Sequence, residues 1–256
     1  MEARKINGMG YITAKWPLDP ARATLVFIHG AGGTGAFWQA QIEGLAGSFN
    51  TIAIDLPGHG ASSGGAKDKI EDYARVVIDL IKQLDVSNPI ACGLSMGGAV
   101  ALQLLLEYPN LLKAGILIST GAKLKVAPVI FEALENDYSS YVKLICQFIA
   151  GKDTDPEVIK HFREQIERCD PQVTLKDFVA CNGFDVMQRI ESITLPVLVV
   201  SAEDDQVTPP KYGDFLEKAI SSASRVEIND AGHIVPMEKP EEVNNAIIEF
   251  VKGTGI

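Results

Sequence analysis

The sequence predicts an α/β fold: a mostly parallel, doubly wound sheet carrying one helical insertion. Three observations lead there. Short β-rich apolar runs, several of them nearly all apolar as strands covered on both faces should be, alternate with longer helix-like segments. The alternation stops between Gly121 and Ile190, where only helical candidates occur, and then resumes. A chain of 256 residues, 46 % of them hydrophobic, can bury the core such a sheet needs.

The first clear strand, Thr24–His29, runs into the glycine-rich loop Gly30-Ala31-Gly32-Gly33. This segment has no G-x-x-x-x-G-K-[ST] or G-x-G-x-x-G pattern, so it is not read as a phosphate cradle. Its backbone N–H groups suit an oxyanion instead, and Ala31 is the expected donor. His29 reads as a structural loop-former. Phe37 and Trp38 follow; they are expected to line a substrate pocket, with core packing as the equal alternative. After the strand Thr51–Asp55, His59 stands alone in a turn without the partners a zinc site needs. No metal and no cofactor are expected.

Ile70–Leu84 carries one apolar stripe (Ile70, Tyr73, Ala74, Val77, Leu80, Ile81, Leu84) and predicts an amphipathic helix. The strand Pro89–Gly93 leads into Gly93-Leu94-Ser95-Met96-Gly97 and then an almost wholly apolar helix, Gly97–Tyr108. A serine on a tight strand-to-helix turn needs small neighbours, and the turn lifts Oγ clear of the sheet. It also leaves helix-start N–H groups free for an anion, so Met96 is the second expected oxyanion donor. Ser95 is the candidate nucleophile. The alternative, a serine that merely caps the helix, loses weight once its partners are considered.

Beyond the strand Lys113–Ser119 lie three helical candidates, Ile130–Ala150, Pro156–Cys169 and Thr174–Gly183. Lacking a strand, this stretch cannot extend the sheet and is expected to roof one edge as a cap. Residues 1–120 and 191–256 then form one catalytic core, and 121–190 the insertion. The strand Leu195–Ser201 ends in Ala202-Glu203-Asp204-Asp205, which supplies three acids. After the last strand, Arg225–Ile228, comes Asn229-Asp230-Ala231-Gly232-His233. His233 thus shares the C-terminal sheet edge with Ser95, where ligands collect in open α/β sheets. Serine needs such a base, and the base needs an acid to hold its tautomer. A final helix opens at Pro240-Glu241-Glu242 and stops near Gly253.

A net charge of −10 with no Lys/Arg run disfavours nucleic acid and anionic lipid as partners. The most apolar stretch, Ile90–Leu106, is short for a membrane span and is broken by three glycines. The N-terminal residues show no signal-peptide pattern. The four cysteines lack C-x-x-C spacing and read as free thiols. A cytoplasmic location is therefore expected, without membrane or nucleic-acid partners.

Taken together, His29-Gly30, Asp55-Leu56-Pro57-Gly58-His59-Gly60-Ala61-Ser62, Gly93-Leu94-Ser95-Met96-Gly97-Gly98, Asp205 and Gly232-His233 resemble the α/β-hydrolase superfamily. Within it, the resemblance is to small microbial carboxylesterases, enol-lactonases and cofactor-free haloperoxidase-like serine hydrolases. It implies the order nucleophile, acid, base, with Asp205 as the acid. Ala202 stands where such proteins commonly carry glycine, which leaves Asp204 as the neighbouring alternative. Ser95 in place of an aspartate argues against dehalogenase or epoxide hydrolase chemistry. The implied activity is hydrolysis of a small to medium carboxylic ester or lactone through an acyl-enzyme. Carbon–carbon bond hydrolysis, thioester hydrolysis and slow-turnover ligand binding are the other readings of the same residues.

Overall fold

In the computed structural model, which describes residues 1–256, all six expected strands form and two more precede them. The two unexpected strands, β1 (Glu2–Ile6) and β2 (Met9–Thr13), make an antiparallel hairpin. Asn7 and Gly8 turn it, both with positive φ (45° and 88°). Two successive left-handed residues make a type I′ turn, for which Asn-Gly is the preferred pair. The apolar-run criterion passes over this hairpin because Glu2–Ile6 is polar and largely exposed at the sheet edge.

The chain continues through β3 (Thr24–Ile28), α1 (Gln39–Leu45), β4 (Asn50–Ile54), α2 (Ile70–Gln83), β5 (Pro89–Leu94), α3 (Met96–Glu107) and β6 (Ala114–Ile118). The insertion follows as α4 (Pro128–Asn136), α5 (Tyr138–Phe148), α6 (Pro156–Ile166) and α7 (Pro171–Gly183). Then come β7 (Val197–Ala202), α8 (Lys211–Ala219), β8 (Ala223–Ile228), α9 (Val235–Glu238) and α10 (Pro240–Thr254).

The sheet order is β1-β2-β4-β3-β5-β6-β7-β8, parallel from β4 to β8. From β3 the sheet grows one way to β4 and the other way to β5. The crevice beyond the strand ends at that reversal is where such sheets hold ligands. Alternate residues of one strand face opposite sides, so each buried strand feeds two cores. Val26 and Ile28 of β3 pack with α2 and α3, whereas Leu25 and Phe27 pack with α1 and α10.

The long helix expected over Ile130–Ala150 is broken in two. Asp137 is extended (φ −158°, ψ 105°), and its side chain accepts from Ser139 N–H at 3.0 Å, starting α5. Asp155 and Asp170 start α6 and α7 in the same way, each followed by proline. The insertion leaves β6 and returns towards β7 through a narrow neck. There Lys123 and Asp185 form an isolated antiparallel bridge and a 2.6 Å ion pair. No helix is long and apolar enough to cross a membrane.

Candidate active site

Ser95 joins β5 to α3 in a left-handed conformation (φ 54°, ψ −116°), costly for any residue with a Cβ. The turn is tied down around it: Ser95 N–H donates to Ile118 O at 3.0 Å, and Thr120 Oγ1 donates to Ser95 O at 2.8 Å. Glycines permit the crowding. A Cβ at Gly93 would overlap Gly97 O, and one at Gly97 would overlap Ile28 O. Those contacts are backbone and cannot swing away, so the spacing of the motif follows from the packing of α3 onto β3 and β5.

Across the sheet edge, Asp205 and His233 form a buried pair, with His233 Nδ1 2.9 Å from one carboxylate oxygen and 3.2 Å from the other. The loop after β7 presents the acid with three further donors. Val207 N–H and Thr208 N–H reach Oδ1, each at 2.8 Å, and Thr208 Oγ1 reaches Oδ2 at 2.9 Å. Burial acts to raise the Asp205 pKa. His233 and the Thr208 donors outweigh it, and the carboxyl is held below its usual range. An ionised acid at Nδ1 keeps that nitrogen protonated and leaves Nε2, which makes no hydrogen bond within the chain, as the nitrogen able to accept a proton. Asp204, next in sequence, does not contact the ring; its N–H donates to Ala231 O at 2.9 Å.

The loop after β3 meets the serine turn directly. A Cβ at Gly30 would sit 3.5 Å from Ser95 Cβ. Gly30 O accepts from Gly33 N–H at 3.1 Å and from His29 Nδ1–H at 2.8 Å. His29 Nε2 in turn accepts Leu56 N–H at 3.1 Å, which fixes the tautomer. Burial is the main force depressing the His29 pKa, to about 3, and the ring stays neutral. In a trans peptide, N–H and C=O point in opposite directions. Pinning Gly30 O on one side therefore aims Ala31 N–H the other way. Neither Ala31 N–H nor Met96 N–H donates within the chain.

A cavity of about 360 Å³ opens at Ser95. Its walls are mostly apolar and come largely from the insertion: Leu124, Val126, Val129, Ile130, Leu144, Phe148 and Phe178 among them. Gln206, Val207, Thr208 and Tyr212 complete it from the core side. Phe37 and Trp38 are not part of it, and of the two expectations for them, pocket lining or core packing, the structure fits the second. Trp38 is fully buried, stacked on Phe27 at 4.8 Å with Phe37 edge-on at 5.2 Å, so both rings are core.

Sequence reasoning missed a second buried constellation. His59 Nε2 lies 2.8 Å from Asp177 Oδ2, both side chains fully enclosed, and Tyr73 donates its hydroxyl to Asp177 Oδ1 at 2.5 Å. Burial alone would lower the His59 pKa; the Asp177 carboxylate more than reverses it, up to about 10. The hint available in the sequence is helical spacing. Asp177 shares a face of α7 with Thr174, Ala180 and Cys181, the buried residues of that helix. No three His, Cys, Asp or Glu side chains converge as a metal site.

Comparison with known proteins bears on family and fold. The profile described as "Alpha/beta hydrolase family" matches residues 25–246. The chain is 28 % identical over 239 residues to 3-oxoadipate enol-lactonase 2 of Acinetobacter baylyi, covering 90 % of this chain and 89 % of that protein. It is 26 % identical over 256 residues to the carboxylesterase YbfK of Bacillus subtilis, covering 96 % and 85 %. The crystal structure of the enol-lactonase from Burkholderia xenovorans LB400 superposes with a TM-score of 0.88. It covers 98 % of this chain and 100 % of that one at 22 % identity, a likeness of fold.

Proposed function

The chain belongs to the alpha/beta hydrolase family as an ester-hydrolysing enzyme, and from that premise we propose that it cleaves small to medium carboxylic esters or lactones through a Ser95 acyl-enzyme. One observation carries the reading: a serine in a strained turn at the floor of an apolar cavity, on the sheet edge that also bears a buried His–Asp pair. Ser95 Oγ attacks the carbonyl carbon while its proton passes to His233 Nε2. Negative charge develops on the carbonyl oxygen and is met by Ala31 N–H and Met96 N–H. Asp205 holds Nδ1–H and stabilises the imidazolium. The intermediate collapses; the C–O bond breaks and the alcohol leaves with the proton from Nε2. Water repeats the sequence on the acyl-enzyme, releasing the acid and restoring Ser95.

The substrate reading rests on the cavity. Its volume lies at the small end of the range for ligand pockets, roughly 300–1,000 Å³, and its walls suit an unbranched or ring-closed aliphatic acyl group. A chromogenic ester series from acetate to decanoate tests this directly, with the intermediate chains expected to give the highest kcat/KM. Ser95→Ala should fall to about 10⁻³ of wild-type activity or less, with the fold unchanged, because losing one member of such a triad removes the coupled chemistry. Folded Ser95→Ala protein that keeps more than that would refute the nucleophile.

A further inference from the structure

The His59–Asp177–Tyr73 constellation lies outside the machinery above, yet one of its contacts reaches that machinery. Asp177 Oδ2 accepts not only His59 Nε2–H but also the backbone N–H of Gly32, at 2.9 Å, across 145 positions of sequence. Gly32 has a left-handed φ of 66°, and a Cβ there would press on Thr174 at 3.2 Å. So α7 of the insertion sits directly on the loop that carries Ala31. The two peptide planes flanking the Ala31 Cα are then each held by hydrogen bonds. The plane between residues 30 and 31 is held through Gly30 O by His29 and Gly33. The plane between residues 31 and 32 is held through Gly32 N–H by Asp177. Tyr73 donates to the other carboxylate oxygen, and its own oxygen accepts Lys67 N–H at 3.0 Å, while His59 and Gly32 together hold Oδ2 in place. A fully enclosed carboxylate is an expensive way to fill space, and apolar packing would serve a purely structural contact at least as well.

We propose that Asp177 is a positioning residue: a strut from the insertion that holds the Ala31 loop in the geometry that binds the oxyanion. This rests on the assignment of Ala31 as an oxyanion donor. It makes seating of α7 a condition for catalysis rather than only for substrate fit.

The test compares Asp177→Ala with Tyr73→Phe. The first removes the acceptor of Gly32 N–H; the second loosens the same constellation but leaves that acceptor in place. Removing one oxyanion donor outright costs about 10²–10³ in rate, so a displaced loop should cost about 10–100-fold in kcat in Asp177→Ala, with KM within about threefold. Affinity for a trifluoromethyl ketone, which adds Ser95 to form a tetrahedral oxyanion, should fall in step with kcat/KM. Tyr73→Phe should keep kcat within about threefold even where its melting midpoint drops. Folded Asp177→Ala with wild-type kcat, or Tyr73→Phe as impaired as Asp177→Ala, overturns the strut. If Asp177→Ala does not fold, the double variant His59→Leu with Asp177→Leu removes both buried charges and still leaves Gly32 N–H without its acceptor. The same loss of kcat is expected there, and its absence in folded protein overturns the proposal equally. Wild-type enzyme that hydrolyses esters yet forms no adduct with the ketone would instead sink the oxyanion assignment itself.

Discussion

Asp205 and Asp204 are adjacent in sequence and opposite in circumstance. Asp205 receives Val207 N–H, Thr208 N–H, the Thr208 hydroxyl and His233 Nδ1–H, whereas Asp204 Oδ2 is buried without a partner. Asp205→Asn keeps the shape but offers an amide that favours the wrong tautomer of the ring, so kcat should drop by roughly 10²–10⁴. Asp204→Asn should cost less than about tenfold, since its carboxylate touches neither ring nor nucleophile. Steady-state kinetics on both variants, with melting midpoints as a control for unfolding, decide between them; the reverse ranking would move the acid by one residue. This choice shows what a sequence can carry at this scale. Ser95 and His233 stand out as candidates because each is announced locally, by glycines on a strand-to-helix turn and by a loop after the last strand. The acid was one of three neighbours until a family resemblance singled it out, because what distinguishes Asp205 is the direction of its side chain. Asp177 gave only a weak local sign, its helical spacing with Thr174, Ala180 and Cys181. Its partners are 104, 118 and 145 residues away, and a lone acid on a helix reads as a solvated one.

At the scale of elements, the strands from β3 to β7 were legible because each is short, mostly apolar and bounded by loops, and α2 because its stripe repeats at helical spacing. The β1–β2 hairpin was missed because its signal is the Asn7-Gly8 turn and not apolarity. The break between α4 and α5 was missed because Asp137 interrupts an otherwise continuous apolar period, and only its cap bond to Ser139 reveals a new start. These two helices and α7 build the cavity wall, through Ile130, Leu144, Phe148 and Phe178. Phe148 is 42 % exposed, so truncating it removes little buried area, while Phe178 packs edge-on against Tyr141 at 5.7 Å. Phe148→Ala should therefore widen the ester-length profile towards longer chains with a midpoint change of only a few degrees. Phe178→Ala should do the same at a larger cost in stability, about 3 kcal/mol or less for a half-buried ring. A chromogenic ester series on each variant checks this; an unchanged profile in both would mean these rings are not the substrate wall.

On the scale of the whole molecule, the insertion is latched to the core at two places. One is the Asp177 contact with His59, Tyr73 and Gly32. The other is Ile149 O, which accepts His233 N–H at 2.8 Å, beside Glu238, which takes Gly151 N–H at 2.9 Å. The first latch is ionic and fully enclosed, and removing one partner of such a pair costs about 3–5 kcal/mol. His59 titrates near 6.5 when unfolded and about 10 when folded, so the folded protein holds this proton more tightly. Its stabilising contribution is complete below the unfolded value and is lost as pH rises through about 10. Thermal melts of wild type and His59→Gln from pH 6 to 10.5 should therefore show a wide gap that narrows with rising pH. A gap that stays constant or widens would contradict a charged His59. The neck at Lys123 and Asp185 has a consequence for engineering. Because the chain leaves and re-enters the core at adjacent positions, the segment between them can be exchanged as a cassette, with the register of β6 and β7 untouched. The cassette is not self-sufficient, however. A graft that brings a foreign segment without an acid at the Asp177 position would strand a buried histidine, so any successful chimera must also recode His59 and Tyr73.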